Sequence, residues 1–103
     1  MMRSHATLTW FMQSAAAARN SGAWEEALAQ YETSLSLVPK EGDARLAADI
    51  LRGIGNVHYA RGDLENASDI FGASLHIAES SGLSEQTASA LNCLGVVEQF
   101  CGV

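Results

Sequence analysis

The chain has 103 residues, of which 48% are hydrophobic and 17% are charged, so it suits one compact domain or a few repeat units and is too apolar to be disordered. Its net charge of -6 and its lack of a basic stripe exclude the binding of nucleic-acid backbones. No apolar run approaches the ~20 residues of a membrane span, and Thr, Gln, His and Ser interrupt residues 1–18, which argues against a signal peptide.

The two cysteines, Cys93 and Cys101, lie two turns apart on a predicted helix, which is too far for a disulfide bond. They also share no metal-binding spacing with a histidine. We therefore expect reduced thiols and a cytoplasmic protein. The sequence predicts neither a membrane nor a nucleic acid as a partner.

Five helices are predicted in chain order. They run from Ser4 to Asn20, from Trp24 to Leu37, from an N-cap at Asp43 to Arg61, from Leu64 to Ser80, and from an N-cap at Ser84 to the end of the chain. The breaks contain Gly22, Pro39, Gly62 and Gly82, because Gly can take a positive φ at a helix end and Pro cannot continue a helix. Asp63 is the predicted cap of the fourth helix. No period-two alternation competes, so the predicted class is all-α.

Apolar residues recur at helical spacing and predict the buried side of each helix. The predicted buried stripes contain Leu8, Phe11, Ala15 and Ala18 in the first helix; Ala27, Leu28, Tyr31, Leu35 and Val38 in the second; Ala47, Ile50, Leu51, Ile54, Val57 and His58 in the third; and Ala67, Phe71, Leu75 and Ala78 in the fourth. The apolar stripe of the fifth helix carries Ala88, Leu91, Leu94, Val97 and Phe100. Trp10 and Trp24 are expected to pack. His58 is expected to be a core histidine with its hydrogen bonds satisfied.

The chain also repeats itself at a spacing of 40 residues. At this spacing Gly22 aligns with Gly62 and Gly102, Ala27 with Ala67, Tyr31 with Phe71, Ala15 with Gly55 and Gly95, and Phe11 with Leu51 and Leu91. Small residues align with small ones and large apolar residues with large ones. The repeat predicts a stack of antiparallel helical hairpins, made of two hairpins and one further helix.

This pattern resembles the tetratricopeptide repeat. The middle repeat has Leu51, Ile54-Gly55, Ala67 and Phe71 at the positions of the family's signature, and the third repeat has Leu91 and Leu94-Gly95. His58 and Glu98 replace the usual aromatic residue, and the period exceeds the family's ~34 residues, which indicates a longer-helix variant. The resemblance covers about residues 4–102. It implies an α-solenoid of about two and a half repeats.

We expect a single domain over residues 1–103, with repeats at about 4–42, 43–82 and 83–103, the last being incomplete. The last helix would then expose Leu94, Val97 and Phe100, because a repeat helix cannot bury its apolar face alone. Two explanations stay open for this patch. Either the chain is a fragment of a longer repeat protein, or a second copy covers these residues in a homodimer.

In the family that the chain resembles, the first helix of each hairpin lines a concave groove that binds peptides. The groove residues expected here are Asp49, Arg52, Asn56 and Tyr59 on the third helix, Met12 and Arg19 on the first, and Asn92 and Gln99 on the fifth. Arg52 and Asn56 lie one turn apart, so both can reach one peptide carbonyl or carboxylate. In the competing interpretation, Asp49 and Arg52 pair with each other and only solvate this face.

The sequence contains no catalytic or metal-binding motif, since an HExxH spacing, a Cys–His set and a phosphate-binding glycine loop are all lacking. We therefore expect no enzyme activity, no metal and no cofactor. The leading hypothesis is a non-catalytic protein–protein interaction module that binds a peptide or helix of a partner in its concave groove. The alternatives are a structural module that self-associates through its last helix and a regulatory fragment of a larger protein.

Overall fold

A computed structural model describes residues 2–39 and 43–100, with side chains described at 7–39 and 43–99. These residues form five α-helices and no strand: α1 (Met2–Asn20), α2 (Trp24–Ser36), α3 (Ala44–Ala60), α4 (Leu64–Ser80) and α5 (Ser84–Phe100). The predicted all-α class and the number of helices are confirmed. The predicted boundaries agree to within two residues at the ends that the structure describes.

Three turns of the same kind reverse the chain. Gly22, Gly62 and Gly82 have φ values of +85°, +84° and +67°, which only glycine adopts without strain. In each turn the residue that follows the glycine donates its backbone N–H to the carbonyl of the residue five positions earlier. These bonds run from Ala23 to Ala18 at 2.8 Å, from Asp63 to His58 at 2.8 Å, and from Leu83 to Ala78 at 2.9 Å. This bond satisfies a carbonyl that the end of the helix leaves without a partner, and the next helix starts antiparallel to the last.

Aspartate side chains cap α3 and α4, as the sequence predicts. An Oδ1 atom of Asp43 accepts from the Leu46 N–H at 3.2 Å, and that of Asp63 accepts from the Asn66 N–H at 3.4 Å. The predicted cap of α5 is wrong. Ser84 is already the first helical residue, and the Leu83 carbonyl accepts from the Thr87 N–H at 2.9 Å, so Leu83 occupies the capping position.

The helices pack in chain order as two hairpins, α1–α2 and α3–α4, followed by α5 against α4. A first cluster of buried residues joins α1, α2 and α3: Leu8, Ala15, Ala18, Ala27, Tyr31, Ile50, Ile54 and Val57. A second joins α4 and α5: Ala67, Phe71 and Val97. Because α1, α3 and α5 are the first helices of successive repeats, they line up on one side of the stack, where α3 contacts both α1 and α5.

Two glycines of α3 let aromatic rings lie directly on its backbone. A Cβ atom built at Gly55 would lie 2.6 Å from Phe71 Cε1, and one at Gly53 would lie 2.6 Å from Tyr31 Cε1. The first contact holds α3 against α4 within a hairpin, and the second holds α2 against α3 between hairpins. The Ser74 hydroxyl adds a buried hydrogen bond to the Ala48 carbonyl at 2.8 Å, which also joins α4 to α3.

The predicted packing of Trp10 is wrong, and α5 exposes part of its apolar stripe. Trp10 is 58% exposed, although its counterpart Ile50, 40 residues later, is fully buried. Ile50 is covered because α2 precedes α3 and packs against it, whereas no described helix precedes α1. At the other end Leu91 is 52% exposed and Ala88 is exposed, because no described helix follows α5.

We expect Gly55→Ala to lower the free energy of unfolding by about 1–3 kcal/mol, because the new methyl group would overlap a fully buried ring. Urea denaturation followed by circular dichroism measures this change. Gly72→Ala in α4 is the matched control, since a Cβ atom there meets nothing within 4 Å. The control should stabilise the protein by about 0.5–1 kcal/mol through helix propensity. Equal effects of the two substitutions would contradict the packing argument.

The pKa of Asp63 is lowered below its ordinary value of 3.8 by the side-chain hydrogen bond from Asn66, helped by that residue's N–H and by the charges of His58 and Arg61. Because this carboxylate is more acidic in the folded state, its contribution to stability is present above pH 3.8 and is lost as the pH falls through the lower, folded pKa. The variant Asp63→Asn keeps a cap that does not titrate, so its acid unfolding should lack this loss of stability. The same dependence of the free energy of unfolding on pH in the variant and the parent would contradict this role of Asp63.

Candidate functional site

An open depression of about 390 Å3 lies between α1 and α3. It is lined by Thr9, Met12, Gln13, Ala16 and Arg19 of α1, by Tyr31 of α2, and by Asp49, Arg52, Gly53 and Asn56 of α3. Five of the eight predicted groove residues are therefore brought together here: Met12, Arg19, Asp49, Arg52 and Asn56. They meet because residues three and four apart share one face of a helix, and the stacking of hairpins sets the faces of α1 and α3 side by side.

A second, smaller depression of about 110 Å3 continues from the first between α3 and α5. Its lining is Asn56, Tyr59, Phe71, Asn92, Cys93 and Val96. Asn56 borders both depressions, which lie on either side of α3, and we call the two together the groove. Gln99 is exposed on α5 but lines neither depression.

Arg52 and Asp49 form an ion pair in the groove, with 3.4 Å between Arg52 Nη2 and Asp49 Oδ1. The pairing that the competing interpretation expects is therefore present. The two side chains remain 35% and 27% exposed, so solvent screens the pair and its stabilising effect is small. The pair with Asp49 uses one nitrogen of a guanidinium group that has five N–H donors, and Arg52 lines the depression.

Tyr31 forms part of the groove, a role that the sequence did not predict. Its ring lies on Gly53 and only 5% of the residue is exposed, yet it lines the depression between α1 and α3. Burial raises the pKa of its hydroxyl above the usual 10.0, while the charges of Arg19 and Arg52 act in the opposite direction. Both guanidinium groups therefore act on the same hydroxyl, and the carboxylate of Asp49, which lines the same depression, offsets one of their two charges.

His58 differs from its prediction, whereas Cys93 is a free thiol, as the sequence predicts. His58 is half-buried, but its Nδ1 atom is buried without a hydrogen bond and lies 3.8 Å from Asp63 Oδ2, so the expected satisfied core histidine is wrong. Cys93 is a free, half-buried thiol whose pKa is raised by burial and lowered to a smaller extent by the charge of Arg52. Cys101 lies outside the described residues.

The predicted self-association patch is not a surface patch. Val97 is only 1% exposed and packs with Ala67 and Phe71, and Leu94 is half-buried against the same cluster. The side chain of Phe100 lies outside the described residues. α5 buries these positions against α4, so the apolar residues that it exposes are Leu91 and Val96.

Among the described side chains, no group of three His, Cys, Asp or Glu residues is arranged to hold a metal ion. None of the described helices combines the length and the apolar character that crossing a bilayer requires. What the groove does offer is guanidinium, amide and phenol groups on a partly apolar floor. Such groups form hydrogen bonds with peptide carbonyls and carboxylates.

The model of the family described as "Tetratricopeptide repeat" matches residues 6–80. The chain belongs to the tetratricopeptide repeat family. It is also similar to Response regulator aspartate phosphatase A of Bacillus subtilis (strain 168), with 39% identity over 56 residues. That match covers 54% of this chain but only 15% of the relative, so this chain corresponds to a small part of that protein's length. No solved structure matches the chain.

Membership of the family, together with the five-helix repeat fold, identifies the chain as a protein–protein interaction module. The recognised residues 6–80 include α2, α3 and α4 and most of α1. They therefore include the whole depression between α1 and α3.

The charges around Tyr31 give a testable effect. Arg52→Ala should raise the pKa of the Tyr31 hydroxyl further, because it removes a positive charge that favours the phenolate. Ultraviolet absorbance of the phenolate measures it, with Tyr31→Phe to assign the signal. Arg61→Ala, which removes a charge at the exposed end of α3, is the control and should leave that pKa unchanged. An equal shift in both variants would contradict the assignment.

Proposed function

We propose that the chain binds an extended or helical peptide segment of a partner protein in the groove across α1, α3 and α5. The observation that supports this function best is the convergence of Arg19, Arg52 and Asn56 on one depression, with Tyr31 as its floor. These side chains come from α1, α2 and α3 and line the same depression. If these side chains served only to solvate the surface, they would not need to meet at one depression.

The groove residues suggest how a peptide would be held. The guanidinium group of Arg52 donates in a planar fork, and the amide of Asn56 both donates and accepts, so together they satisfy a peptide unit or a carboxylate. Asn92 repeats the amide chemistry in the depression between α3 and α5. Met12 and Tyr59 supply adaptable apolar contacts for the ligand's side chains.

Asp49 gives the groove a means of discrimination. It holds Arg52 at 3.4 Å in the free protein, and an exposed pair of this kind contributes at most about 1 kcal/mol. A ligand carboxylate can therefore replace Asp49 as the partner of Arg52 at little cost. Peptides with an acidic residue at this place are favoured, and the neighbouring charge of Arg19 supports the same preference.

The similarity to Response regulator aspartate phosphatase A suggests the first partner class to test. The name of that protein describes an action on response regulators, and the similar segment covers 54% of this chain. We propose that a response regulator is a partner of this interaction module. The whole relative is much longer, so the proposal concerns binding by the shared repeat segment alone.

A peptide selected from a random library on the intact protein tests the groove. Its affinity, measured by isothermal titration calorimetry, should fall about tenfold or more in Arg52→Ala/Asn56→Ala, because a hydrogen bond to a charged group contributes about 1.5–3 kcal/mol. Arg61→Ala is the charge-matched control and should bind like the parent protein. Equal affinity of the double variant and the parent would show that the peptide does not bind in this groove.

A purified response-regulator receiver domain provides the second measurement. Binding to the parent and weaker binding to Arg52→Ala/Asn56→Ala would support both the partner class and the groove. Binding that the double variant retains would support the partner and contradict the groove. Absence of binding, with peptide binding intact, would exclude the partner class and keep the groove.

A further inference from the structure

The hydroxyl of Tyr31 is an open donor in a side chain that is otherwise buried. Only 5% of the residue is exposed, and no hydrogen bond joins its hydroxyl to any of the described residues. Among those residues, the buried side-chain atoms that lack a partner are Gln30 Oε1 and His58 Nδ1, so the Tyr31 hydroxyl, which is not one of them, reaches solvent. Because Tyr31 lines the depression between α1 and α3, its hydroxyl is free to bond with a ligand there.

Two guanidinium groups lie near this hydroxyl. Burial raises the pKa of the Tyr31 hydroxyl, and the charges of Arg19 and Arg52 act in the opposite direction. The phenol therefore keeps its proton at neutral pH and can donate it in a hydrogen bond. Arg19 forms no ion pair with a described residue, and its Nη2 atom donates to Asn20 Oδ1 at 3.5 Å. The phenol and the two guanidinium groups are donors that suit one carboxylate of a ligand.

Asp49 sets a second requirement on the ligand. It is the one carboxylate among the residues that line the depression, and in the free protein it holds Arg52 at 3.4 Å. A ligand carboxylate that takes over Arg52 would leave Asp49 covered and without a cation, which is unfavourable. A ligand that also brings a basic group gives Asp49 a new partner. A purely acidic ligand, or a doubly charged phosphoryl group, would meet Asp49 as a like charge.

The repeat determines how far apart the two ligand groups must lie. A Cβ atom built at Gly53 would be 2.9 Å from the Tyr31 hydroxyl oxygen, so the hydroxyl lies at the level of Gly53 on α3. Asp49 is four residues earlier on the same helix, which is about 6 Å along the axis. Side chains i and i+2 of an extended peptide share one face at about 7 Å, and side chains i and i+4 of a helix do so at about 6 Å. Either spacing matches the groove.

We propose that the depression between α1 and α3 recognises a pair of oppositely charged side chains in its ligand, an inference that rests on the peptide-binding function proposed above. The acidic side chain accepts a hydrogen bond from the Tyr31 hydroxyl and lies between Arg19 and Arg52. The basic side chain, two residues away in an extended ligand or four in a helical one, pairs with Asp49. Binding thus exchanges the ion pair of Asp49 and Arg52 for two pairs with the ligand, and Tyr31 is a specificity-determining residue.

Selection from a synthetic peptide library gives the first test. The peptides have acetylated and amidated ends, so that every carboxylate belongs to a side chain. Peptides that bind the parent protein should contain an acidic and a basic residue at a spacing of two or four. Selection on Asp49→Asn should keep the acidic residue and lose the basic one. Arg61→Glu is the control and should select the parent's pattern, because Arg61 lines a different depression.

Isothermal titration calorimetry with one selected peptide tests the contact of Tyr31. Tyr31→Phe keeps the ring on Gly53 and removes the hydroxyl, so it should weaken binding about tenfold. Replacing the acidic residue of the peptide by its amide should remove most of this difference between the variant and the parent. Because each step of this cycle compares two peptides on the same protein, a change in the stability of the variant cancels.

The contact of Asp49 is tested in the same way. Replacing the basic residue of the peptide by glutamine should weaken binding to the parent about fivefold, because an exposed ion pair is lost. The same replacement should leave binding to Asp49→Asn unchanged, since that variant has no charge for the basic residue to meet.

The proposal is overturned if the selected peptides lack the acidic and basic pair, if Tyr31→Phe binds like the parent, or if Asp49→Asn still selects the basic residue. A failure of the groove itself looks different, because Arg52→Ala/Asn56→Ala would then bind the selected peptide like the parent, and this proposal would fall with it. Loss of binding in that double variant, with Tyr31→Phe and Asp49→Asn behaving like the parent, would keep the groove and reject recognition of the charge pair.

Discussion

The contact of an aromatic ring with a glycine in α3 determines how closely the helices approach. Phe71 lies on Gly55 and Tyr31 on Gly53, so two neighbouring helices pack on α3 through positions only two residues apart. Any larger residue would push a ring away and open the core around it. The hydrogen bond from Ser74 to the Ala48 carbonyl depends on the same close approach, as does the row of groove residues that α3 presents. The packing of the core and the positions of the groove residues on α3 therefore both depend on these two ring–glycine contacts.

The sequence predicted the interior of the stack better than its ends, and the reason is physical. The stripe of α3 is right at Ile50, Ile54 and Val57, because α2 and α4 cover that helix from two sides. Periodicity predicts which face of a helix is apolar, but it carries no information about whether another helix covers that face. Trp10 was expected to pack for this reason, and it is exposed at one end of the described stack.

The groove row was predictable because helical spacing defines it. Met12, Arg19, Asp49, Arg52 and Asn56 meet as the spacing and the repeat imply. Tyr31 was not predicted, because it belongs to an apolar stripe and its hydroxyl enters the groove only through the close approach at Gly53. A sign of this contact was present in the sequence. Gly53 is a second glycine that the repeat does not require, since its 40-residue counterparts are Gln13 and Cys93.

The position of Tyr31 has a mechanical consequence. Its ring packs between the first hairpin and the second, and the same residue lines the depression between α1 and α3. A substitution that moved this ring would therefore alter the contact between the hairpins and the shape of the groove together.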